Sequence, residues 1–104
     1  MTAEEELKRA HRIRHVGIDL ENEGKLVEAE EKYDEALALY RKYSDTDDLN
    51  YANAVRYPAV IKHRLGKIDE AIKLWEEAVE RYEKVGIMAA VEEGKKRIVE
   101  MTNV

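Results

Sequence analysis

Apolar and small residues recur at steps of three and four positions in two long segments of the chain. In residues 24–43 they stand at Leu26, Ala29, Tyr33, Ala36, Leu37 and Tyr40. In residues 66–85 they stand at Ile68, Ala71, Ile72, Trp75, Ala78, Val79 and Tyr82. Because this spacing places side chains on one face of an α-helix, the pattern predicts two amphipathic helices that bury their apolar faces.

The two segments are copies of one another. An offset of 42 residues brings Gly24 onto Gly66 and Tyr40 onto Tyr82 without a gap. Each glycine follows another helical segment, and it suits the left-handed conformation that closes a helix. The repeated unit is therefore predicted to be a helix, a tight turn and a second helix.

The whole chain is predicted to be one all-α domain. Its two antiparallel helix-turn-helix units span residues 4–43 and 47–85, and a fifth helix, residues 87–101, caps the second unit. The third helix is expected to start at Asp47. Residues 44–48 are rich in side chains that cap helix starts, so they predict the loop between the two units.

The repeated motif resembles a known family. Residues 24–29 (GKLVEA) and 66–71 (GKIDEA), each followed by an aromatic residue and by small residues at fixed distances, are similar to the tetratricopeptide repeat. The resemblance covers residues 10–85 and implies an α-solenoid that works as a protein-protein interaction scaffold. Gly17 and Ala29 fit this expectation, because helices approach closely only where side chains are small.

Several residues depart from the usual form of that repeat. The period is 42 residues instead of about 34, and Arg41 and Glu83 stand where Pro is usual, so the second helices are expected to run longer. Pro58 removes a backbone hydrogen bond from the third helix and predicts a kink. Lys62 stands where the repeat usually has an apolar or aromatic residue. Gly94 weakens the last helix by about 1 kcal/mol relative to Ala.

The composition narrows the class of protein. The chain has 104 residues, 39% of them charged, a net charge of -5 and no Cys, which excludes disulfides and zinc-thiolate sites. The acidic total argues against general nucleic-acid binding. The acidic first residues do not form a secretory signal, and apolar runs such as residues 59–61 are too short to cross a membrane. We therefore expect a cytoplasmic protein without membrane contact.

The resemblance also implies which residues contact a partner. In the family, the first helix of each unit lines a concave groove and the second helix faces outward. From the first unit, the residues expected in the groove are His11, Arg14, His15, Ile18 and Asn22. From the second unit, they are Asn53, Arg56, Tyr57, Val60, His63 and Arg64.

The charges divide along the same lines. Residues 49–65 include Arg56, Lys62 and Arg64 but no acidic residue, whereas the second helix is acidic. A basic inner surface suits a carboxylate-bearing segment, so the expected partner is an acidic peptide or protein segment that pairs with Arg14, Arg56 and Arg64. The alternative is that these helix faces are only solvated.

Candidate sites for chemistry are few. His11 and His15 lie four residues apart with Asp19 one turn further on, a spacing that can chelate a divalent metal. No Cys and no His-Glu-x-x-His motif supports this, so we predict no metal and no cofactor. Ser44, the sole serine, has no adjacent His. Carboxylates such as Glu30, on the outward helices, are expected to be solvated. We predict that the chain is not an enzyme.

Self-association is the alternative function, because two repeats are fewer than such arrays usually need. Ile13, Val16 and Leu20 would then form an uncovered end that a second copy contacts in a homodimer. The Cys-free composition also allows an engineered scaffold, although Pro58 and Gly94 are irregularities that an idealised design avoids.

Overall fold

The computed structural model describes residues 1–45 and 48–103, and within them it contains five α-helices and no strand. The helices are α1 (Ala3–Asn22), α2 (Leu26–Tyr43), α3 (Leu49–Arg64), α4 (Ile68–Val85) and α5 (Met88–Thr102). Thr46, predicted in the loop, and Asp47, predicted to start the third helix, lie outside the described residues. The predicted all-α fold is confirmed. None of the helices described is long and apolar enough to cross a membrane.

Local signals in the sequence explain where the helices begin and end. Asp48 caps α3, and its carboxylate accepts a hydrogen bond from the Tyr51 N–H at 2.8 Å. Gly24 and Gly66 have φ angles of 80° and 79°, a left-handed conformation that favours glycine. The left-handed conformation predicted for the glycine in each tight turn is therefore confirmed.

The repeated aromatic residues form the core. Tyr33 and its repeat counterpart Trp75 are each 1% exposed, and a second such pair, Tyr40 and Tyr82, is also buried. Each helix packs mainly on its neighbours along the chain. A Cβ atom at Gly17 would lie 2.7 Å from Tyr33 Cε1, so α1 and α2 approach more closely than any larger side chain at this position allows. The core role predicted for the aromatic residues is confirmed.

Two residues that were expected to disturb the helices are accommodated. The helix α3 runs through Pro58 without interruption, and the kink stays a prediction. Gly94 is buried, and a Cβ atom there would overlap the Val79 side chain. The glycine that lowers the intrinsic stability of α5 is therefore what allows α5 to pack on α4.

Lys62, unusual for the repeat, is buried in an ion network. Its Nζ lies 2.9 Å from Glu30 Oε2 and 3.1 Å from Asp34 Oδ2, and Lys67 Nζ lies 2.8 Å from Glu30 Oε1. Burial raises the pKa of Glu30, but the hydrogen bonds from the two lysines outweigh it and hold the pKa below its ordinary value. The expectation that Glu30 is solvated is wrong, because α3 and the turn before α4 cover it.

Candidate functional site

Three of the predicted groove residues are in contact along α1. Arg14 Nη2 lies 3.1 Å from His11 Nδ1, and His11 Nε2 lies 3.2 Å from His15 Nε2. A guanidinium group only donates hydrogen bonds, so His11 accepts at Nδ1 and the proton of its neutral ring lies on Nε2. The two histidines therefore share a hydrogen bond instead of offering two lone pairs to a metal.

The surroundings of His11 favour its neutral form. Desolvation, and then the charges of Arg14 and His15, lower the pKa of His11 from its ordinary value of 6.5. Within the described ranges, no group of three or more His, Cys, Asp or Glu side chains could hold a metal ion. His11 and His15 therefore belong to a chain of hydrogen bonds that starts at Arg14.

Arg14 is buried between α1 and α3 and does not lie on the open surface. It is 7% exposed, and its guanidinium carbon lies 5.3 Å from the centre of the Tyr57 ring. Arg14 Nε and Nη1 are buried and have no hydrogen-bond acceptor in the part of the chain described. Tyr57 in turn stacks on Tyr33, with ring centres 5.3 Å apart. Arg14 and Tyr57 thus make their closest contacts with other residues of the fold.

The other apolar and amide residues of the predicted groove are partly used by the fold. Ile18 is half-buried against the cluster around Tyr33. Asn53 Oδ1 accepts a hydrogen bond from the Tyr82 hydroxyl, and burial raises the pKa of Tyr82 to about 12, so this hydroxyl remains a donor. Asn22 is exposed near the end of α1.

The remaining four predicted residues meet in one cavity of about 380 Å³, here named the arginine cavity. Its lining residues are Arg56, Val60, His63, Arg64, Trp75 and Arg97. Three guanidinium groups and an imidazole therefore come together from α3 and α5, and none of these lining residues is acidic. The wall offers hydrogen-bond donors beside apolar surface.

Two of these arginines form short hydrogen bonds with carboxylates. Arg56 Nε and Nη2 lie 2.9 and 3.1 Å from the two carboxylate oxygens of Glu93, and Arg64 Nη1 lies 2.8 Å from Glu21 Oε2. The hydrogen bond from Arg56 outweighs desolvation and lowers the pKa of Glu93. These pairs tie α3 to α5 and to α1, so neither arginine is the free cation that the sequence predicts.

Sequence reasoning missed Arg97 as a surface residue of this cavity. Its Nη1 lies 3.5 Å from Glu100 Oε2, and its side chain is 45% exposed. The signal that was missed is the order of the helices. α5 follows α4 in the same way that α3, the first helix of the second unit, follows α2. Treating α5 as a further first helix, and not only as a cap, would have placed Arg97 beside Arg56 and Arg64. Trp75, predicted as a core residue, both fills the core and lines the cavity.

A second cavity, of about 680 Å³, lies between the start of α1 and the end of α2. His11 lies in its wall together with Tyr40 and Tyr43. His15 is exposed, and its ring centre lies 4.6 Å from that of His11. The structure thus divides most of the predicted groove residues between this cavity, the buried surroundings of Arg14 and the arginine cavity.

The fold and the repeat define a protein built from stacked helix-turn-helix units. The sequence model described as tetratricopeptide repeat matches residues 9–84. The chain belongs to the tetratricopeptide repeat family. No curated protein matches it. Repeats of this family are protein-protein interaction scaffolds and are typically not enzymes, so this chain is a scaffold that binds protein partners.

Proposed function

We propose that the chain binds an acidic peptide segment on the surface formed by α1, α3 and α5. The observation that carries this proposal is the arginine cavity, where three arginines and a histidine meet without an acidic lining residue among those described. Carboxylates pair well with guanidinium groups because these present several donors in one plane. The net charge of -5 supports a protein segment as the ligand and not a nucleic acid.

The contacts within the protein change how such a ligand would bind. Because Arg56 and Arg64 already pair with Glu93 and Glu21, ligand carboxylates would use the guanidinium N–H groups that remain. Arg14 is too deeply buried to pair with the ligand directly. The exposed Arg97 takes its place in the proposal. Asn53 supports binding as well, since its side-chain NH₂ remains available for a backbone carbonyl of the ligand.

A peptide-display selection tests this proposal. The wild type is compared with the double variant Arg64→Gln and Arg97→Gln, and with a control that loses the same charge on exposed positions outside the cavity, Lys73→Gln and Lys96→Gln. We expect Asp- and Glu-rich peptides to be enriched on the wild type and on the control but not on the arginine variant. Equal enrichment on all three proteins, or no acidic enrichment on the wild type, contradicts the proposal. Far-UV circular dichroism checks that helicity is unchanged.

Self-association remains the second candidate function. Val16 is 46% exposed on α1, and Ile13 and Leu20 near it are only half-buried. A second copy that covered this strip would bury apolar surface. Light scattering at high micromolar concentration tests it, with Val16→Glu as the disrupting variant and Val27→Glu, on α2, as the control. A monomer under these conditions, or a dimer that both variants leave intact, removes this candidate.

A further inference from the structure

The arginine cavity has more hydrogen-bond donors than the fold uses. Arg56 donates to Glu93 through Nε and Nη2, which leaves Nη1. Arg64 donates to Glu21 through Nη1, which leaves Nε and Nη2. Arg97 has one distant contact, through Nη1. Within residues 1–45 and 48–103, each of the three guanidinium groups therefore keeps N–H groups without an acceptor.

We infer that the arginine cavity binds a phosphoryl group, carried by a phosphorylated side chain of the bound segment. This inference rests on the proposed function, because it names the group that the acidic segment presents. A phosphoryl group carries a charge of about -1.5 to -2 at pH 7 and has three strong acceptor oxygens. Three guanidinium groups around one cavity match three such oxygens, whereas a carboxylate offers two.

The charges around the cavity leave hydrogen bonding to select the ligand. Glu93, Glu21 and Glu100 pair with the three arginines from outside the lining, so three formal negative charges balance the three positive ones. Net charge alone therefore does not choose between anions. A ligand with a third acceptor oxygen forms more hydrogen bonds with the remaining N–H groups than a carboxylate does.

The size and the apolar wall fit a phosphorylated side chain better than a bare ion. The cavity volume of about 380 Å³ lies within the range of small-molecule sites, about 300–1,000 Å³. Val60 and Trp75 supply apolar surface for the carbon part of the side chain. Trp75 Nε1–H is buried and has no acceptor among the described residues, so this lining residue has an unused donor.

The single Trp of the chain makes the test direct, because its indole N–H gives one resolved signal in a ¹H–¹⁵N NMR spectrum. Phenyl phosphate and phenylacetate, which share a ring but differ in the anion, are titrated into the wild-type protein. We expect phenyl phosphate to shift the Trp75 indole signal and the amide signals of α3, with an affinity at least roughly tenfold higher than that of phenylacetate. Equal affinities, or no shifts with phenyl phosphate, overturn the inference.

Variants on α5 test the residues. Arg97→Gln is expected to weaken phenyl phosphate binding by roughly tenfold, and Arg97→Lys to weaken it less because the charge remains. Lys96→Gln removes the same charge from the neighbouring exposed residue and is expected to leave binding unchanged. If Arg97→Gln binds as the wild type does, or if Lys96→Gln weakens binding equally, the cavity is not the site.

Three further titrations identify the source of the phosphoryl group. Blocked tripeptides centred on phosphotyrosine or phosphoserine are compared with inorganic phosphate, and at least one peptide is expected to bind more tightly than the free ion. If inorganic phosphate binds as tightly as both peptides, the phosphorylated side chain is the wrong ligand. If the display selection yields acidic peptides but phenyl phosphate does not bind, the proposed function stands and this inference alone is wrong.

Discussion

Replacing Lys62 with Met tests whether the buried ion network stabilises the fold. Lys62 is 7% exposed, and the substitution leaves the Glu30 carboxylate, also 7% exposed, without its buried partner. Removing one member of a buried ion pair costs about 3–5 kcal/mol. Lys67 still donates to Glu30 from a side chain that is 45% exposed, so we expect a loss of about 2 kcal/mol in the free energy of unfolding.

The double variant Lys62→Met and Glu30→Met distinguishes the cost of an unpaired buried charge from the cost of changed packing. It removes the buried charge together with its partner, and Asp34 and Lys67 are exposed enough to be solvated. Replacing both members of a buried pair with apolar residues is often neutral. The double variant is therefore expected to unfold within about 1 kcal/mol of the wild type, and to be more stable than Lys62→Met alone.

The pH dependence gives an independent check. The pKa of Glu30 is lowered from 4.5, so its contribution is present above pH 4.5 and is lost as the pH falls through the lowered value. For Lys62, desolvation lowers the pKa, but the hydrogen bonds to Glu30 and Asp34 outweigh it and raise the pKa above 10.5. Its contribution is present below pH 10.5 and is lost as the pH rises through the raised value.

Urea unfolding, followed by circular dichroism and Trp75 fluorescence, measures these differences. The gap between the wild type and Lys62→Met should be largest between pH 4.5 and 10.5 and should shrink in stronger acid. A cost below about 0.5 kcal/mol at pH 7, or a double variant that is no more stable than Lys62→Met alone, refutes the reasoning.

Further predictions concern close packing and titration. Gly17→Ala is expected to lower stability by about 1–3 kcal/mol, measured by thermal unfolding, because the new Cβ overlaps Tyr33; an unchanged melting temperature contradicts this. His11 is expected to titrate below pH 6.5 by NMR, and His15→Gln to move its midpoint upward, since His15 contributes to the lowering. Tyr82 is expected to ionise near pH 12 by ultraviolet titration. Its raised pKa means that its contribution to stability is lost as the pH rises from 10 through that value.

Much of the fold could be predicted from the sequence because its signals are local. The three- and four-residue spacing of apolar positions marked the helices, and Gly24 and Gly66 marked the turns, since each requires only its immediate neighbours in the chain. The repeat identified Tyr33 and Trp75 as core residues for the same reason. Every predicted helix is present, with ends that differ by two residues at most wherever the structure describes them.

The candidate site was less predictable because it depends on pairs that are distant in the sequence. Arg56 and Arg64 belong to the surface that was predicted, but their partners Glu93 and Glu21 lie 37 and 43 positions away. The three- and four-residue spacing of apolar positions contains no information about such a pair. The burial of Arg14 likewise depends on how α1 and α3 approach one another, so its residue type indicated an exposed cation where the fold has a buried one.

The packing of each helix on its neighbours along the chain has a consequence for folding. Contacts of short sequence separation are typical of rapid folding, and arrays with nearest-neighbour coupling open from their ends. Hydrogen exchange should therefore be slower in α2, α3 and α4, each of which has a packed helix on either side, than in α1 and α5. Fraying of α5 would separate Arg97 from Arg56 and Arg64, so a ligand that bridges these arginines would slow exchange throughout the last helix.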